Sequence, residues 1–134
     1  MNFEELLKYL KDKKIQKYIN KLVRKYKNKK VLIYGAGLFF EVLRENFDLS
    51  KLNIVAISDK SFEQDNEYKG LKAVSFDKIK NLSFDVMIIA TLEPERLENI
   101  IKTTLYPTCG KFQIDYFNNY SFKDFLAEII TFFS

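Results

Sequence analysis

The chain has 134 residues, 47% apolar and 30% charged, which bounds it to about one domain whose core closes without metals or disulfides. It holds no histidine and a single cysteine, Cys109, so Ser-His-Asp and Cys-His catalysis, His/Cys zinc centres and an internal disulfide are all excluded. The formal charge of +4 is unevenly placed: residues 1–30 carry eleven bases against three acids, the rest eleven bases against fifteen acids.

Phe3, Leu6, Leu7 and Leu10 recur at helical spacing, and Ile15, Tyr18, Ile19, Leu22, Val23 and Tyr26 repeat it after a phase break at residues 11–14. Two helices, or one bent helix, are predicted, with the apolar stripe facing a core and the lysines in water. No stacking-aromatic motif or recognition-helix pattern accompanies them, so the basic segment reads as a solvated face and nucleic acid is not an expected partner. Tyr9 with Lys13, and Tyr26 with Lys30, share the Tyr-x-x-x-Lys spacing of short-chain dehydrogenases, but both pairs precede the glycine loop and read as chance.

From residue 31 strands and helices alternate. Val31–Tyr34 is a buried strand ending at Gly35-Ala36-Gly37, and a helix follows with Phe39, Val42, Leu43 and Phe47 on one side. Ile54–Ser58 is a second strand, ending at Asp59. Lys60 to Gly70 reads as a polar loop, Leu71–Val74 as a short third strand, and Ser75 to Lys80 as a brief helical turn. Phe84–Ala90 is the strongest strand. Pro94 opens a helix with Leu97, Ile100, Ile101 and Leu105 inward, which Tyr106-Pro107 should end. Lys111 to Phe117 reads as a fifth strand, and Ser121 caps a last helix whose apolar stripe runs from Phe122 to Phe133.

Continuous apolar strands separated by helices imply a parallel sheet covered on both faces. The expected fold is a Rossmann-like α/β domain of about five strands over residues 31–134, preceded by a helical extension over residues 1–30. No run of about 18 apolar residues occurs, so no membrane span is expected. The N-terminus lacks a signal-peptide pattern, and the lone cysteine suits a reducing cytoplasm. Abundant Lys, Asn, Ile, Phe and Tyr suggest a bacterial genome poor in G and C.

Gly35-Ala36-Gly37 stands where a phosphate-binding turn must stand, between the first strand and a helix whose N-terminus offers unpaired N–H groups. Asp59 follows Gly37 by 22 residues at the end of the next strand, where an acid accepts from ribose hydroxyls in dinucleotide binders. Thr91, at the end of the strongest strand, should border the same crevice as a donor or as a helix cap. Gly35, Ala36, Gly37, Asp59 and Thr91 are therefore the candidate cofactor-binding residues. Phe40 occupies the third-glycine place of the G-x-G-x-x-G pattern, so a wider or rotated helix start is expected. No catalytic or metal constellation stands out, and Glu93 and Glu95 read as helix-start acids rather than an acid/base pair.

Residues 31–105 resemble the small Rossmann-like domains of bacterial surface-polysaccharide enzymes. These are the N-terminal sugar-nucleotide-binding domain of bacillosamine and sialic-acid acetyltransferases, and the N-terminal domain of nucleotide-sugar epimerase/dehydratases. The resemblance rests on Val31–Gly37, Ile54–Asp59, Gly70–Val74 and Asp85–Thr91. It implies that Gly35, Gly37 and Asp59 contact NAD or a UDP-type sugar nucleotide, with the chemistry in a further domain that has no room here. A nucleotide-binding module serving nucleotide-sugar or surface-polysaccharide metabolism is the leading expectation, and a stand-alone enzyme is not. Two alternatives stay open. A small S-adenosylmethionine-dependent methyltransferase wants an acid where Ile33 stands. A protein-interaction or regulatory domain with a vestigial crevice would use the last helix or the basic N-terminal helices as a docking face, for self-association or for a partner enzyme.

Overall fold

In a computed structural model, which describes residues 1–91 and 94–117, the chain is a mixed α/β fold around one six-stranded sheet. Helices α1 (Phe3–Asp12) and α2 (Ile15–Lys25) come first. Asn2 caps α1 by accepting from the Glu5 N–H at 2.9 Å. The two helices are separate because Lys14 takes a left-handed conformation (φ 56°) at the phase break. Then follow β1 (Val31–Tyr34), α3 (Leu38–Asn46), β2 (Ile54–Ser58), β3 (Asn66–Tyr68) and β4 (Leu71–Val74). A 3₁₀ turn (Phe76–Asn81), β5 (Val86–Ile89), α4 (Pro94–Cys109) and β6 (Gln113–Tyr116) complete the described part. The helix expected over residues 121–133, and Glu93, lie outside it.

The sheet order is β3-β4-β2-β1-β5-β6, with every neighbouring pair parallel except β3 and β4. Without β3 the five parallel strands run in the doubly wound order, third-second-first-fourth-fifth, and the direction of winding reverses between β1 and β5. Every residue of these two central strands is buried. Alternate side chains serve opposite layers. Val31, Ile33, Val86 and Ile88 face the core shared with α1, α2 and α3. Leu32, Tyr34, Met87 and Ile89 face the layer closed by α4 and the 3₁₀ turn. The N-terminal helices thus complete the core of the sheet. No helix of the described residues is long and apolar enough to cross a membrane.

Two expectations change. The segment read as a loop contains β3, a polar strand that forms because Asn66, Glu67 and Tyr68 pair antiparallel with β4 around the turn at Gly70 (φ +86°). Helix α4 continues through Pro107 to Cys109: a proline in the last turn removes one N–H, and the stop falls at Gly110 (φ +76°), whose N–H bonds the Tyr106 carbonyl at 3.0 Å. Phe40 is fully buried in the core cluster that α1, α2 and α3 share, where α1 packs on α3.

Candidate functional site

The site is built where β1 ends between two neighbours. The Gly35 N–H extends the ladder to the Ser58 carbonyl at 2.8 Å, and on the other side the Ala90 N–H bonds the Tyr34 carbonyl at 2.8 Å. The backbone then turns through Gly35 at φ +119°, a conformation that disfavours any side chain. A Cβ there would stand 2.7 Å from the Ala90 oxygen and 2.8 Å from Thr91 Cγ2. Gly35 is therefore demanded by its own conformation and by the close approach of β5.

Gly37 is different. It is the N-cap of α3 with φ −89°, and a Cβ added there meets nothing within 4 Å. Its missing side chain leaves open space in front of the helix N-terminus, where the first N–H groups have no intrahelical partner.

Asp59, beyond β2, turns its carboxylate onto the glycine turn. Oδ2 accepts from the Ala36 N–H at 2.7 Å, and Oδ1 accepts from the Ser61 N–H at 2.9 Å and its hydroxyl at 2.8 Å. Burial alone would raise the Asp59 pKa; the hydrogen bonds from Ala36 and Ser61, with Lys60 nearby, outweigh it and hold the carboxyl below the usual range. The amides of Gly35 and Ala36 are thus engaged within the protein, and the N–H groups at this corner without an intrahelical partner are those of the first turn of α3.

The β3–β4 hairpin braces the turn from outside. The Tyr68 hydroxyl donates to the Glu41 carboxylate and lies 3.2 Å from the Ala36 carbonyl oxygen. Lys69 bonds the other Glu41 oxygen. Lys69 and then Tyr68 hold Glu41 below the usual carboxylate range, while burial and then Glu41 push the Tyr68 phenol up to about 12. None of these three residues is prominent in the sequence. The one available signal is the Tyr-Lys-Gly turn after a short polar run.

A cleft of about 440 Å³ opens over this corner, bordered by Gly35, Gly37, Asp59, Lys60, Thr91 and Arg96 among others. Four of the five candidate residues line it; Ala36 is joined to it through Asp59. Thr91 Oγ1 is buried without a hydrogen-bond partner, an arrangement that costs free energy until something bonds it. Lys60 and Arg96 bring positive charge to the rim. Tyr26, one of the chance Tyr-x-x-x-Lys tyrosines, is spent on structure: its hydroxyl donates to Asp115 at 2.5 Å, tying α2 to β6. Cys109 is half-buried at the end of α4, away from the cleft. Among the described residues no group of three or more acids or cysteines is placed to hold a metal ion.

No curated protein matches the chain. The family model described as C2185-like, N-terminal matches residues 27–106, from just before β1 to within α4 and more than half of the chain. The chain therefore belongs to the C2185-like N-terminal family.

Proposed function

We propose that this chain is a nucleotide-binding module whose ligand, NAD or a UDP-type sugar nucleotide, seats its phosphates at the N-terminus of α3. It would serve nucleotide-sugar or surface-polysaccharide metabolism in the bacterial cytoplasm, with any chemistry supplied by a partner enzyme. The observation that carries the reading is the cleft at the reversal of winding, between the ends of β1 and β5, where doubly wound sheets bind ligands. The open space at Gly37, the unpartnered Thr91 hydroxyl and the two rim cations all suit a phosphate-bearing guest. The resemblance of residues 31–105 to sugar-nucleotide-binding domains supports the metabolic setting.

A thermal-shift panel of NAD, NADP, UDP-sugars, CMP-sugars, S-adenosylmethionine and coenzyme A tests it. A ligand at 100 times its Kd adds roughly 2.7 kcal/mol, a clear rise in midpoint. Gly37→Asp, which sets a carboxylate in front of the free amides, should abolish that rise. A flat response to every compound, or a rise that survives Gly37→Asp, defeats the reading.

A further inference from the structure

Phe39 lines the cleft, and behind it stands a second ring. Phe39, in the first turn of α3, meets Phe117, the residue after β6, with ring centroids 6.4 Å apart and planes at 41°. Both are buried, at 3% and 1% exposure. Ile89 pairs in register with Tyr116, so Phe117 stands level with Ala90 at the carboxyl ends of the strands. Phe117 and Ala90 also belong to the core cluster of the α1–α3 face. The ring pair consequently bridges α3 to β6 across the end of β5.

A doubly wound sheet that binds a dinucleotide is built from two mononucleotide-binding halves, and the ligand lies across the reversal of winding with one nucleotide on each side. The second nucleotide needs the crevice over the last strands. Here the cleft extends from Asp59 and Lys60, after β2, to Arg96 and Ile100 on α4, and takes no lining residue from β6. Its volume of about 440 Å³ lies toward the small end of the roughly 300–1,000 Å³ common for ligand pockets.

We infer that the cleft accepts a single nucleoside diphosphate unit and not a dinucleotide, because the Phe39–Phe117 pair fills the place of the second nucleotide. The inference rests on the nucleotide-binding reading and decides between its two kinds of ligand. In this arrangement the diphosphate lies before Gly37 on the Thr91 side of the cleft, and no described residue of β6 lines the cleft beyond it.

Isothermal titration calorimetry of the whole chain with ADP, UDP and NAD, at one ionic strength, tests this directly, since NAD is ADP extended by a nicotinamide riboside. ADP, UDP or both should bind, and NAD should bind less than tenfold more tightly than ADP or not at all. NAD binding at least tenfold more tightly than ADP overturns the single-nucleotide assignment while leaving the cleft a nucleotide site. Binding of none of the three overturns both statements.

Discussion

The two ends of the glycine turn place opposite demands on the same residue type. At Gly35 the backbone is in a conformation that disfavours side chains and the neighbouring strand presses within 2.7 Å of where a Cβ would be. At Gly37 the backbone is ordinary and the space in front of it is empty. One glycine is there for the fold and the other for what the fold leaves open. A motif read as G-x-G treats them alike, so substitutions that separate them test both the architecture and the proposed site.

The largest effect belongs to Gly35→Ala. The added methyl must displace the Ala90 carbonyl and the Thr91 side chain while the residue holds φ +119°, which together should cost about 3 kcal/mol. Urea denaturation would show a lower midpoint with an unchanged slope. A loss below about 1 kcal/mol would mean that the β1–β5 approach is looser than described, and the contrast with Gly37 would fall with it.

A smaller loss is expected one residue along, where Asp59 holds the Ala36 N–H. Asp59→Asn removes a charge-assisted acceptor and should cost about 1 kcal/mol at neutral pH. The sign with pH follows from the carboxyl being held below its ordinary value of 3.8 when folded. The unfolded chain then binds more protons in acid. The stabilisation is complete above the unfolded value and disappears as pH falls through the folded one. The stability gap between the native chain and Asp59→Asn should therefore narrow as pH falls below the unfolded value of 3.8. A gap that stays constant into acid would show that the carboxylate charge is not what secures the turn.

Much of this was legible in the sequence, and the misses share a cause. Val31–Tyr34 and Val86–Ile89 are apolar on both faces, and burial on both faces of a central strand leaves no other reading. Gly35 and Asp59 are found by spacing together with their places at the ends of two apolar strands. Spacing did not reveal that the Asp59 carboxylate turns inward onto Ala36, because a hydrogen bond between two loops leaves no periodic trace. Strand β3 escaped for the same reason: Asn66-Glu67-Tyr68 is polar and short, and pairing with β4 makes it a strand. Phe40, at the third-glycine place, packs into the core that α1 and α2 build over α3, a destination that the glycine pattern alone does not indicate. The periodicity of residues 3–26 predicts two amphipathic helices or one bent helix, but not what they cover.

The smallest change in stability carries the sharpest contrast. Gly37 is the N-cap of α3, and its side chain position is open. Aspartate is preferred over glycine at such a position by a few tenths of a kcal/mol, since its oxygen accepts from the first-turn N–H groups and its charge suits the positive end of the helix dipole. Gly37→Asp should therefore leave the unliganded chain unchanged or more stable by up to about 0.5 kcal/mol. The same carboxylate would occupy the amides that a phosphate needs and repel it. A replacement that strengthens the empty protein while removing its response to nucleotides separates a binding function from a folding role. A substantial loss of stability instead would mean that Gly37, like Gly35, is required by the architecture, and its emptiness would no longer point to a guest.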